Sequence, residues 1–189
     1  MGERGESGQP ALNRAVFLDR DGVINRTLVR DGKPYAPTTP EEFELLPGVV
    51  TAIAALKNAG FRIVVVTNQP DVGNGKLARD VVEAMNARVR QKCQVDDVRV
   101  CYHGDADGCA CRKPKPGLLV DAAHDWSLDL RRSYMVGDRW RDIGAGQAAG
   151  CRTVWIDCGY SEMKPENPDI VVKSLPEAAR QILNHASTR

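Results

Sequence analysis

The sequence predicts a single α/β domain organised around a mainly parallel sheet. Short β-branched runs alternate with longer helical patterns along the whole chain. Clusters of Asp, Asn, Lys and Thr fall directly after those runs, where the crevice of a parallel sheet lies. The length, 189 residues, is that of one ordinary domain, able to bury a core without disulfides.

Each element has a local reason. Residues 15–18, 62–66, 98–100, 134–136 and 153–156 are short runs rich in β-branched and aromatic residues, suited to buried strands, and 170–172 adds a sixth. Residues 48–59 read as a helix stopped by Gly60, since glycine accepts the left-handed conformation at a helix end. Leu77, Val81, Met85 and Val89 draw one apolar stripe at helical spacing, and Leu118, Leu119, Ala122, Ala123 and Trp126 draw another. Residues 143–149 form a short helix ending at Gly150. The last helix opens at Ser174-Leu175-Pro176-Glu177, a serine followed three residues on by a glutamate as in a capping box.

Two stretches break the alternation. Residues 26–40 hold Asp31-Gly32 between extended segments, the composition of a β-hairpin. Residues 101–116 are rich in Cys, Gly, Lys and Pro. No insertion is long enough to form a separate cap domain. Residues 1–13 are polar and Gly-rich and read as a flexible tail, leaving 14–189 as the domain.

Hydrophobic residues make up 42% and charged residues 27% of the chain, the mix of a globular protein. A formal net charge of +1 gives no broad electrostatic footprint for nucleic acid or an anionic membrane, so a small-molecule partner and a monomer are expected. With neither an export signal nor an apolar run long enough to span a bilayer, a cytoplasmic location is expected. In that compartment the six cysteines favour metal ligation or burial over disulfides.

Directly after the first run comes Asp19-Arg20-Asp21-Gly22. Two carboxylates this close at the mouth of a buried strand repel each other and lose hydration unless a cation or a reaction compensates. Alone, such a motif is an ordinary strand-end turn. Here three further segments occupy similar places: Thr67-Asn68-Gln69 after the second strand, Arg112-Lys113-Pro114 between the third strand and its helix, and Gly137-Asp138-Arg139-Trp140-Arg141-Asp142 after the fourth. In order, and over nearly the whole chain from Ala15 on, the set resembles the four motifs of the haloacid dehalogenase (HAD) superfamily.

That resemblance implies a Rossmann-like parallel sheet with helices on both faces, its first strand central, and a Mg²⁺-dependent phosphomonoester hydrolase working through a phospho-aspartate. Asp19 is then nucleophile and Mg²⁺ ligand, with Asp138 a second ligand and Asp21 contributing its backbone carbonyl. Asp142 orients metal-bound water or binds directly. The Asp21 side chain serves as acid and then base. Thr67 and the backbone of Asn68 hold the phosphoryl oxygens, and Lys113 offsets their charge. A carboxylate attacking an anionic phosphorus needs such neutralisation, and Mg²⁺ suits a few carboxylates plus phosphate.

Cys101, His103, Cys109 and Cys111 place three thiols and an imidazole within eleven residues. Four such ligands with no open position describe a closed, structural Zn²⁺ site; a Cys109–Cys111 disulfide or buried free thiols are the other readings. The spacing is similar to the zinc loop of the heptose 1,7-bisphosphate phosphatases and histidinol-phosphate phosphatases, the heptose enzymes above all in the run from Cys109 to Gly117. This implies that Arg112 contacts substrate and that the substrate is a small sugar phosphate, heptose bisphosphate first and histidinol phosphate second. A catalytically silent, zinc-stabilised interaction domain is the non-enzymatic alternative. Pro70, Asp71 and the hairpin depart from the heptose pattern at segments that recognise substrate. Arg26, Arg30 and Lys33 on that hairpin are expected to overhang the site and hold a distal phosphate.

Overall fold

In the computed structural model, which describes residues 13–187, every residue of β1 (Arg14–Leu18) after Arg14 is buried, and alternate side chains enter two different cores. Val16 and Leu18 pack with Ile63 and Val65 of β4 (Phe61–Asn68) against α1 (Val49–Asn58), α3 (Arg79–Cys93) and α6 (Leu175–Ser187). Ala15 and Phe17 pack with Val64 and Val66 against α4 (Gly117–Trp126) and α5 (Trp140–Ala149). Burial on both faces is why these strands read as continuous apolar runs instead of alternating ones.

The remaining strands of the main sheet are β5 (Asp97–Cys101), β6 (Tyr134–Gly137), β7 (Arg152–Ile156) and β8 (Ile170–Val172). The order is β5-β4-β1-β6-β7-β8 and every pairing is parallel. From β1 the chain passes to β4 and β5 on one side and to β6, β7 and β8 on the other. The crevice therefore opens at the carboxyl end of β1. Beside it stands a separate hairpin, β2 (Leu28–Arg30) with β3 (Lys33–Tyr35), whose turn residues Asp31 (φ 50) and Gly32 (φ 73) both take the left-handed conformation that a two-residue hairpin turn demands.

Four local expectations shift. The buried stripe of α3 is Val82, Met85, Asn86, Val89 and Cys93, because Leu77 precedes the helix and Val81 lies at its margin. α5 starts at Trp140, so Asp142 falls in its first turn, where its Oδ2 accepts the Arg139 amide at 3.0 Å. A short α2 (Pro70–Gly73) follows β4, with Pro70 at a first-turn position that needs no N–H. At α6, Glu177 N–H meets Ser174 Oγ at 3.4 Å, while the Glu177 carboxylate accepts from Lys173 N at 2.9 Å, one residue earlier than a standard box. Of the expected tail, residues 1–12 lie outside the described residues, and Asn13 forms a bridge with Leu128. Among the described residues no helix is long and apolar enough to cross a membrane.

Candidate active site

Asp19 is the first residue beyond β1, and its N–H donates to Val136 O of β6 at 3.0 Å, fixing it between the strands that carry the second and fourth motifs. Lys113 arrives from the loop before α4. Its buried ammonium donates to Asp19 Oδ1 at 2.8 Å and Val66 O at 2.7 Å, and pairs with Asp142 Oδ1 at 2.6 Å. Burial pushes Asp19 up to about 7, with Lys113 pulling the other way. Burial also works against the Lys113 charge, but Asp142 and Asp19 more than offset it and hold the ammonium above its usual range.

Asp138 differs from its neighbours: both carboxylate oxygens are buried with no hydrogen-bond partner. Burial first, then the charges of Asp19 and Asp142, raise it well above the usual carboxylate range. Ligand oxygens of Asp19, Asp138 and Asp142 lie within 4.8 Å of one another. Three converging carboxylates, Asp138 among them with only Tyr160 and Arg139 near enough to ease its charge, fit a divalent cation with oxygen preference such as Mg²⁺. Asp142 already has Oδ1 on Lys113 and Oδ2 on the Arg139 amide, which suits an orienting role better than a direct one. Glycines make this approach possible. A Cβ on Gly22 (φ +88) would meet Asp138 Oδ2 at 1.9 Å, and one on Gly137 would meet Asp142 Cβ at 2.0 Å.

The Asp21 side chain is turned to a polar cluster beside this site. It accepts from Arg20 Nη2 at 3.0 Å, from Asn25 Nδ2 at 2.9 Å and from Gln69 Nε2 at 2.8 Å; Gln69 in turn reaches Thr67 Oγ1 at 3.0 Å. Arg20 is fully buried and also donates to Asn86 of α3 at 2.9 Å. Asn68 exchanges two bonds with the backbone of Lys113, Nδ2 to O at 3.1 Å and N to Oδ1 at 3.2 Å, and so ties the lysine loop to β4. Sequence reasoning missed Arg20, Gln69, Asn86 and this role of the Asn68 side chain.

Asp19 and Asp21 open into a cavity of about 290 Å³. Of the sequence-expected substrate groups, Asn68, Arg112 and Lys33 line it. Arg26 and Arg30 do not. Arg26, before β2, pairs with Glu44 at 3.0 Å, and Arg30, although opposite Lys33 in the hairpin, lays its guanidinium over the Tyr35 ring at 5.8 Å. Arg112 is itself paired with Asp105 at 2.7 Å. Arg139 and Arg141, which sequence reasoning did not single out, line the cavity too; Arg139 is paired with Glu162 at 2.6 Å. Their place one and three residues beyond Asp138 was the available signal.

The cysteine loop gathers as expected. Cys101 Sγ lies 3.7 Å from Cys109 Sγ and 3.1 Å from Cys111 Sγ, Cys109 and Cys111 are 3.5 Å apart, and His103 Nδ1 is 3.3 Å from Cys111 Sγ. All are free thiols, so the Cys109–Cys111 disulfide does not form. A tetrahedral ion with bonds of about 2.3 Å to sulfur would set its ligand sulfurs roughly 3.8 Å apart. The cluster has the right donors at near that spacing and could hold Zn²⁺.

A carboxylate at the end of the central parallel strand, backed by a buried lysine and a carboxylate cluster suited to a divalent cation, defines an aspartate-centred α/β phosphohydrolase. Comparison with known proteins agrees. A family model described as HAD-hydrolase-like matches residues 110–178. The chain is 36% identical to the D-glycero-beta-D-manno-heptose-1,7-bisphosphate 7-phosphatase of Pseudomonas putida over 90% of its own length and 99% of that protein's. It is 36% identical to the D-glycero-alpha-D-manno-heptose-1,7-bisphosphate 7-phosphatase of Burkholderia mallei over 77% and 80%. The crystal structure of the D,D-heptose 1,7-bisphosphate phosphatase of Bordetella bronchiseptica, complexed with magnesium and phosphate, superposes with a TM-score of 0.75 at 32% identity, covering 91% of this chain and 99% of that one. The chain is a HAD-like phosphatase and belongs to the family of heptose-1,7-bisphosphate phosphatases.

Proposed function

We propose that this phosphatase removes the 7-phosphate of D-glycero-D-manno-heptose 1,7-bisphosphate through a phosphoryl group carried on Asp19. One observation carries the bisphosphate reading. Lys33 and Arg141 line the cavity that holds Asp19, and among the described residues neither is ion-paired with a carboxylate. Lys113 serves the phosphoryl group being transferred, so these two further cations suit a second phosphate on the same small substrate.

Asp19 attacks phosphorus, the bond from phosphorus to the sugar oxygen breaks, and Asp21 delivers a proton to that oxygen. Asp21 then takes a proton from the water that attacks phospho-Asp19, releasing phosphate and restoring the carboxylate. For both steps the Asp21 side chain must turn from Arg20 toward the leaving oxygen. Asp19, Asp138 and the Asp21 carbonyl are the groups to hold Mg²⁺, with Asp142 orienting its water. When bound, the ion supplies positive charge against the phosphoryl oxygens. Thr67 and the Asn68 backbone hold those oxygens, Lys113 offsets their charge, and Zn²⁺ on Cys101, His103, Cys109 and Cys111 keeps the Arg112-Lys113 segment in place.

A second substrate class has its own observation: Asp71 lines the same cavity, and its carboxylate suits a cationic substrate such as histidinol phosphate. Phosphate release with Mg²⁺ from both anomers of the heptose bisphosphate, from the corresponding 1-phosphate and from histidinol phosphate tests the choice. The bisphosphate reading predicts kcat/KM highest for a bisphosphate anomer. Higher kcat/KM for histidinol phosphate overturns it.

A further inference from the structure

A second cavity, of about 200 Å³, lies at the opposite end of the sheet. Its residues come from the amino ends of the strands: Arg14 opens β1, Phe61 opens β4 and Arg152 opens β7. Five residue steps of extended chain lead from Arg14 to Asp19, about 16 Å at roughly 3.3 Å per step, so no small substrate bridges the two ends. Arg131 and Arg132, in the turn before β6, complete four guanidinium groups around one hollow, and no Asp or Glu lines it.

Several arginines elsewhere in the molecule are neutralised. Arg20, Arg62, Arg99 and Arg139 each meet a carboxylate within 3.4 Å. Among the described residues none of Arg14, Arg131, Arg132 and Arg152 does. Arg14 donates to Ala59 O at 2.8 Å with its guanidinium 4.1 Å above the Phe61 ring, and Arg152 contacts His185 Nε2. Packing thus fixes two of the four cations, while Arg131 and Arg132 extend from an exposed turn. Four like charges around one hollow repel one another unless an anion joins them. Guanidinium forks match phosphate oxygens two at a time, and the cavity is too small for a drug-sized ligand, which takes about 300 Å³ or more. Phe61 is already covered by Arg14 on one face and meets Tyr134 edge-on.

We propose that this cavity is a second anion site that takes a small phosphate-bearing ligand remote from the catalytic centre. His185 lies in its wall, with Nδ1 2.8 Å from the Tyr134 hydroxyl, and it is one of three histidines in the chain, the others being His103 in the cysteine cluster and His124 on α4. Its ring resonances therefore report on this cavity alone. Inorganic pyrophosphate and, separately, glucose 1-phosphate are titrated at constant ionic strength into the full chain, its Asp19→Asn variant and an Arg131→Gln/Arg132→Gln double variant. The expected result is a saturable His185 shift in the first two and at least tenfold weaker binding in the double variant, whose turnover is unchanged. A response to pyrophosphate alone assigns the site to inorganic polyanions, and a response to both assigns it to the phosphate end of a metabolite. No saturable shift with either probe, or equal affinity in the double variant, overturns the proposal.

Discussion

Lys113 Nζ sits 2.8 Å from Asp19 Oδ1, with the lysine only 2% exposed, so the two form a buried ion pair at the end of the central strand. The same ammonium touches Asp142 at 2.6 Å and therefore balances two of the three clustered carboxylates. Removing it leaves buried negative charge unpaired. Lys113→Met should cost about 3–5 kcal/mol of stability, the order seen when one partner of a buried pair is deleted, and should lower kcat by at least about 100-fold, as loss of a transition-state charge partner does. Urea unfolding and steady-state assay of one preparation check both; wild-type kcat would show that Lys113 is structural only.

Asp21 makes a prediction that depends on the leaving group. Asp21→Asn cannot protonate a sugar oxygen, so turnover of sugar phosphates should fall by 100-fold or more, within the roughly 10²–10⁴ of general acid catalysis. An aryl phosphate, whose leaving group needs no proton, should still phosphorylate the enzyme and give a burst of phenol followed by slow hydrolysis. Stopped-flow absorbance distinguishes the cases. No burst with the aryl phosphate would remove Asp21 from the proton-transfer role and leave it as part of the Arg20-Asn25-Gln69 cluster.

Gly22 gives a test of the cation site that touches no ligand. A methyl group there would meet Asp138 Oδ2 at 1.9 Å, from a backbone at φ +88 that disfavours side chains. Gly22→Ala should weaken Mg²⁺ activation at least tenfold while α1, α3 and the far end of the sheet stay folded. Mg²⁺ dependence of kcat and circular dichroism check this; an unchanged Mg²⁺ midpoint would mean that Asp138 is not a ligand.

The metal loop and the lysine are linked through the chain, since Lys113 follows Cys111 by two residues and Asn68 clamps its backbone from β4. Cys109→Ser should lower bound zinc below one per chain. It should also reduce turnover without rescue by added Mg²⁺, because about 1 Å of displacement at a catalytic group can cost roughly 100-fold. Asp138→Asn should do the reverse, keeping zinc and losing Mg²⁺ dependence. Metal analysis beside activity decides, and full activity in the Cys109 variant would break the link.

The parallel sheet, the hairpin and the carboxylate set were legible because each rests on local pattern. β-Branched runs mark buried strands, Asp31-Gly32 marks the turn, and the Asp, Lys and Cys residues stand at fixed distances from strand ends. What escaped were side chains whose partners are distant in sequence. Nothing local marks Arg20 as buried, and only the fold brings Asn86, on α3, to it. Arg26 and Arg30 read as site cations until Glu44 takes up the first and the Tyr35 ring the second. The stripe of α3 was legible in part: Met85 and Val89 are buried and Leu77 and Val81 pack at the edge of the same core, but the full burial of Val82 beside the equally apolar Val81 is set by packing.

The central claim is that Asp19 carries the phosphoryl group. Rapid acid quench of the enzyme turning over its heptose bisphosphate, followed by borohydride reduction and peptide mass spectrometry, tests it directly. An acyl phosphate on Asp19 is reduced to homoserine, so the account predicts homoserine at position 19 in the wild type and none in Asp19→Asn, which should also lack turnover. Unmodified Asp19 during turnover, or an Asp19→Asn enzyme that still releases phosphate at the wild-type rate, would contradict it.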